Sequence, residues 1–215
     1  MLIEDCNAFI RANTRLSQVS SLSCIKLYLA AEGTAFWQEI EDEMERGLGA
    51  PPFWAFAWAG GQALARYIGE HPIEVSGKKV LDFAAGCGLA GIAAARAGAS
   101  HVEASDLDRF AEAAIALNAI ENAVIVKTRL DDLVGSDEPF DVILAGDVAY
   151  QGGMAPRITD WLEARAKAGA LVLIGDPGRG HLPREKLRSL ASYDVAVPLM
   201  LEAVTMKRTD VWRFI

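Results

Sequence analysis

No apolar stretch approaches the roughly 18 residues that a membrane-spanning helix requires, so nothing in the 215 residues reads as a transmembrane segment. The opening run MLIEDCNAFI carries two acids and no basic residue, so it reads as neither a secretory signal nor a transit peptide. Cysteine is scarce. Cys6, Cys24 and Cys87 are scattered without C-x-x-C spacing, which argues against disulfides and zinc and for a reducing cytoplasm. Histidine is equally rare, and His71, His101 and His181 fall outside every motif below; they read as structural or solvated, with no metal site expected. A basic stripe of the kind that binds nucleic acid is missing as well. The 29 acids outnumber the 21 bases, for a net charge of −8. The densest basic run, HLPREKLR, reads as a solvated helix face. An acidic chain favours a cationic substrate or partner.

What is present is apolar pattern. With 52% hydrophobic residues, the chain suits one compact domain over 51–215 preceded by a small N-terminal extension over 1–50. From residue 78 onward short apolar runs alternate with helical ones, the signature of an α/β fold around a mostly parallel sheet. KKVLDFA, HVEASD, AVIVKT, FDVILAGD and GALVLIGD read as successive strands. Helices are expected at Leu89 to Ala97, Asp108 to Ile120 and Met154 to Ala168, and YDVAVPLML with TDVWRFI as a closing antiparallel hairpin. The fold class is therefore a Rossmann-like, seven-stranded, mostly parallel sheet with a C-terminal hairpin. In the extension, CIKLYLA reads as a short strand and TAFWQEIEDEME as an amphipathic helix capped by Thr34. Two prolines then stop one element, and a helix begins near Trp58. For Phe53 and Trp54, core filling and a role at the site are evenly balanced, whereas Trp58 stands beside Gly60 and Gly61, small residues that let a ligand come close.

The first strand runs into a glycine turn, VLDFAAGCGLAG, with G-x-G-x-x-G at Gly86, Gly88 and Gly91. Such a strand–turn–helix presents backbone N–H groups and a helix N-terminus to a ligand, and its usual label is a dinucleotide site. Asp82, four residues before the first glycine, argues otherwise. A carboxylate there would repel a pyrophosphate. It would attract S-adenosyl-L-methionine, which has no phosphate and carries cationic ammonium and sulfonium groups. The close backbone at Gly86 and Gly88 suits that ligand too, and Gly91 reads as helix packing. The bland alternative makes Asp82 a cap for the neighbouring loop. Asp106, ending the second strand, is placed to bind a ribose in either cofactor and does not discriminate. ILAGDVAY puts Asp147 and Tyr150 just beyond the carboxyl end of a later strand, where ligands bind in open α/β sheets. Taken alone, an Asp in that position is often only a helix cap.

In the order FAWAGG, LDFAAGCGLAG, ASDLD and GDVAY, these segments resemble the class I, seven-stranded methyltransferases. More narrowly they resemble family 16, most of whose characterised members are protein lysine methyltransferases. Within it, the runs KLYLA, FWQEIEDEM and FWAFAWAGGQALARYI are most similar to the group acting on the electron-transfer flavoprotein β-subunit, here in a bacterial form. The resemblance implies that Trp58 and Gly60 border the cofactor S-adenosyl-L-methionine, that Gly86 and Gly88 lie against its methionine part and that Asp106 holds the ribose. It further implies that Leu107 and Asp131 flank the adenine, that Gly146 borders the cofactor, and that Asp147 and Tyr150 are the catalytic D-x-x-Y pair. It also implies a protein substrate; together with the composition, the expectation is a cytoplasmic enzyme, a monomer, with no nucleic acid and no membrane among its partners.

Overall fold

A computed structural model describes residues 5–20, 22–45 and 52–215. The expected division at residue 50 and the stop at Pro51 lie outside the described residues.

The chain opens with α1 (Cys6–Asn13), capped by the Asp5 carboxylate, and a hairpin of β1 (Arg15–Val19) and β2 (Leu22–Leu29). Of these only β2 is expected from the sequence. Next comes α2 (Ala35–Glu45), where the Thr34 hydroxyl accepts the Trp37 N–H at 3.2 Å as an N-cap. A helical turn at Phe53–Ala55 leads into α3 (Ala59–Glu70), with Trp58 at its N-cap. The parallel strands follow in alternation with helices: β3 (Lys79–Phe83), α4 (Leu89–Arg96), β4 (His101–Ser105), α5 (Arg109–Glu121), β5 (Lys127–Arg129), β6 (Val142–Gly146), α6 (Ala155–Lys167) and β7 (Leu171–Asp176). The long strand β8 (Leu187–Ala196), the short helix α7 (Leu199–Glu202) and β9 (Met206–Phe214) complete the chain.

The main sheet has seven strands in the order β5-β4-β3-β6-β7-β9-β8, with β9 antiparallel to both neighbours. Successive residues of each inner strand feed opposite faces, as the pleat dictates. Val80, Val142, Leu144 and Leu173 pack beneath α3 and α4, while Leu81, Ile143, Val172 and Ile174 pack beneath α6. The N-terminal segment joins a third core, in which Ile10, Phe36 and Trp37 meet Trp54, Phe56 and the Ala111–Leu117 face of α5. Asn118 of α5 and Asn122, the residue that caps its C-terminus, fasten the hairpin. Asn118 accepts the Tyr28 N–H at 2.7 Å, and Asn122 both accepts from and donates to the Lys26 backbone.

Three segments differ from expectation. The AVIVKT strand shrinks to β5, because α5 ends in a tight turn through Ala123 (φ 53°) and leaves Ile125 exposed outside the sheet. HLPREKLR is not a helix face; it forms a single turn at Arg184–Lys186 and then enters β8. The closing hairpin starts six residues before Tyr193, and Pro198 diverts PLML into α7. From β3 the chain steps outward through β4 to β5 and then crosses back to β6, on the other side of β3. That reversal opens a crevice at the carboxyl ends of the strands, where open α/β sheets bind ligands.

Candidate active site

A cavity of about 850 Å³ fills this crevice. Register explains why acids gather around it: Asp82 lies opposite Ala104 and Leu144, and Gly146 opposite Gly175. Asp106, Asp82, Asp147 and Asp176 therefore stand at the carboxyl ends of four adjacent strands. The first three line the cavity.

The glycine turn is shaped by left-handed backbone. Gly86 has φ 52° and Gly88 φ 78°, values that cost a side-chain-bearing residue energy. A β-carbon at Gly86 would also press to 3.3 Å of the Phe53 carbonyl oxygen. Gly88 does not line the cavity; it is the N-cap of α4 and faces Ile115, whose side chain a β-carbon would meet at 3.1 Å. Gly91 is a packing residue, set so close over Asp82 that its N–H donates to Oδ2 at 2.7 Å. Asp82 thus serves the first turn of α4 and lines the cavity as well. Its carboxyl is fully buried, and that burial, aided by the nearby Asp106 charge, pushes its pKa up to about 7. Asp106 binds the turn to the next strand, accepting from Gly86 N–H at 2.9 Å, Leu107 N–H at 2.8 Å and Asp108 N–H at 3.1 Å. Leu107 and Asp131 lie at the exposed rim, where Asp131 pairs with Arg129 at 3.0 Å.

An aromatic wall closes one side. Trp58 donates its indole N–H to the Phe53 carbonyl at 2.9 Å, and the Phe53 ring lies 5.6 Å from Trp58 and 5.5 Å from Tyr150. Phe53 is therefore a cavity residue, while Trp54 belongs to both, stacked in the core between Phe36 and Phe110 and reaching the cavity lining. Tyr150 is 46% exposed, at the mouth.

At the far side, three glycines let α3 touch the sheet. A β-carbon on Gly60 would fall 2.2 Å from the Gly175 oxygen, and one on Gly146 would fall 2.9 Å from the Gly61 nitrogen. Gly60 is absent from the cavity lining, whereas Gly146 and Gly61 belong to it. What Gly60 contributes is an N–H donated to Asp147 Oδ2 at 2.5 Å. Asp147 itself is held in the left-handed region (φ 56°), its N–H bonded to the Gly175 oxygen at 2.9 Å. It is not a helix cap, since α6 starts eight residues later behind Met154. Its Oδ1 accepts from Arg179 Nη2 at 2.9 Å. Burial outweighs that ion pair and pushes the Asp147 pKa up to about 6. Arg179 is the residue that sequence reading missed; its only signal is the turn-forming DPG before it.

The acid-lined turn fits a cationic adenosine ligand better than a pyrophosphate, because Asp82 occupies the N-terminal end of α4. Among the described residues no group of three or more His, Cys, Asp or Glu side chains could hold a metal ion, and no helix is long and apolar enough to cross a membrane.

Residues 39–181, well over half of the chain, match a family model described as lysine methyltransferase. The chain is 37% identical over 218 residues to the electron transfer flavoprotein beta subunit lysine methyltransferase of Mus musculus, covering 96% of this chain and 83% of that one. It is 34% identical over 224 residues to the Homo sapiens protein of the same name, covering 98% and 82%. In fold it is similar to magnesium protoporphyrin IX methyltransferase of Synechocystis PCC 6803, crystallised with S-adenosylmethionine bound. The TM-score is 0.53 at 12% identity, with 100% of both chains covered.

Proposed function

The chain belongs to the lysine methyltransferase family, and from that premise we propose that it transfers methyl groups from S-adenosylmethionine to lysine side chains of the electron-transfer flavoprotein β-subunit. One observation carries the reading: a buried carboxylate, Asp147, borders the same cavity as the acid-lined glycine turn, with the aromatic wall alongside. The relatives' names supply the protein substrate.

Bound S-adenosylmethionine supplies an electrophilic methyl group. Asp82 and the α4 turn hold its cationic methionine end, Asp106 binds the ribose hydroxyls, and Trp58 and Gly146 border it. Leu107 and Asp131 form the rim at the adenine. Gly60 and Gly88 act one step back: Gly60 anchors Asp147, and Gly88 shapes the turn.

A lysine amine has a pKa of about 10.4 and arrives as an ammonium without a lone pair. Asp147 attracts that ammonium by a charge-assisted hydrogen bond and orients the nitrogen while its proton passes to water. Tyr150 and Phe53 wall the approach and shield the cation against their ring faces. Alignment at near-attack distance then contributes much of the acceleration.

The test is incubation of the purified chain with labelled methyl donor and, in parallel, recombinant electron-transfer flavoprotein or a whole-cell extract, followed by peptide mapping. Label on β-subunit lysines is expected. Label only on another protein, such as a ribosomal protein, would overturn the substrate; no lysine label on any protein would overturn the reaction.

A further inference from the structure

The chemistry above leaves one well-placed cation unused. Asp176 ends β7, and its Oδ1 accepts the N–H groups of Gly178 at 2.7 Å and Arg179 at 2.8 Å. With Gly178 at φ 94°, this turn carries the Arg179 side chain to the Asp147 carboxylate after β6. Arg179 Nη2 donates to Asp147 Oδ1 at 2.9 Å and to Glu202 Oε1 at 2.6 Å, and Nη1 reaches the second Glu202 oxygen at 3.3 Å. Glu202, on α7, is in turn held by Lys207 of β9. The guanidinium therefore has two anionic holds, one of them the carboxylate assigned to the substrate ammonium.

Resting on the methyltransferase reading, we propose that Arg179 is a positioning residue for methyl transfer. It keeps the buried Asp147 carboxylate charged and aimed, and it cedes Oδ1 to the incoming ammonium while Glu202 retains the guanidinium. Without a cation, a carboxyl this buried and this close to Asp176 takes up a proton, and a neutral acid does not attract an ammonium. With a cation held only by Asp147, the seat would stay blocked. A fork that spans two carboxylates avoids both outcomes, which a single ammonium in its place does less well.

The groups that set the charge on Asp147 are all visible. Burial raises its pKa most; Arg179 and the Gly60 N–H lower it, and the Asp176 charge raises it further. Glu202 and Lys207 act through Arg179. Removing the guanidinium charge therefore moves the Asp147 titration upward.

The experiment titrates the Asp147 carboxyl by carbon-13 NMR in the cofactor-free protein, in wild type, Arg179→Met, Arg179→Gln and Arg179→Lys. The midpoint should rise by about one unit or more in Met and Gln and by less than half as much in Lys. In parallel, methylation by the Met and Gln variants relative to wild type should fall at pH 7, by about twofold for a one-unit rise and about tenfold for a two-unit rise, and recover toward parity at pH 9, where both carboxyls are ionised. The ratio is read because lysine deprotonation accelerates every variant alike. An unmoved midpoint, or a deficit equal at both pH values, would overturn the role of Arg179 while leaving the enzyme a methyltransferase. Absence of lysine methylation by wild type at every pH would overturn the reading beneath it and the positioning role together. Gln retains the polar stem, so a folding failure confined to Met leaves the comparison standing.

Discussion

At the residue scale, the site is a set of carboxylates whose burial is set by strand register. Asp82 shows the consequence most clearly. Its pKa is about 7 in the folded protein against 3.8 for an ordinary Asp side chain. The folded state thus binds the extra proton between those values, so stability falls as pH rises through that window and levels off above it. Asp147, raised to about 6, adds to the fall. From pH 5.5 to 8 the Asp82 share is about 2 kcal/mol, or roughly 4–8 °C of melting temperature for a chain of this length. Asp82→Asn keeps an acceptor for the Gly91 N–H and should remove most of that slope in calorimetric melts. It should also weaken S-adenosylmethionine binding about tenfold or more at pH 8 but little at pH 5.5, where the wild-type carboxyl is already protonated. A slope unchanged by the substitution would place the ionisation elsewhere. The position of Asp82 beside the cavity was legible from its place before the glycines. Its bond to Gly91 was not, because that depends on how closely α4 lies on β3.

At the scale of elements, the strand–helix alternation was legible from Lys78 onward because inner strands buried on both faces read as continuous apolar runs, such as VILA and LVLI. The misplaced elements have local causes. AVIVKT is β-branched and apolar, yet only its end finds a partner, beside β4. In β8, polar and apolar residues mix because Leu187, Tyr193 and Val195 face the core while Arg188, Ser192 and Asp194, which alternate with them, are exposed. The α3–sheet contact was invisible, since WAGG offers two equivalent glycines and only packing separates them. Gly60→Ala drives a β-carbon against the Gly175 backbone and should cost about 1–3 kcal/mol or more, while disturbing the N–H bond to Asp147. Gly61→Ala meets nothing within 4 Å and should be neutral or stabilise by up to roughly 1 kcal/mol. Chemical denaturation of both variants checks this. Equal losses would show that α3 does not rest on the sheet as described.

At the scale of the whole molecule, the N-terminal segment and the closing strands meet the glycine-turn fold around one crevice. Trp54, Phe56 and α5 join the former to it, while α7 and β9 bring Glu202 and Lys207 behind Arg179. Such long-range contacts leave no periodic trace in a sequence. The D-x-x-Y spacing could therefore be read directly, but the ion pair completing Asp147 could not. The net charge of −8 suits a lysine-bearing partner, and the cavity beside Asp147 is where the proposed function seats its lysine.

The central claim is that the Asp147 charge receives the substrate lysine, and Asp147→Asn tests it most directly. Methyl transfer to recombinant electron-transfer flavoprotein is measured at pH 8, with S-adenosylmethionine affinity and melting temperature taken on the same preparation. The account predicts that kcat/KM falls by at least about a hundredfold, near 2.7 kcal/mol of transition-state stabilisation, while cofactor affinity stays within about threefold, since the lost charge is the one facing the ammonium. Methylation at close to the wild-type rate by the Asn variant would contradict it.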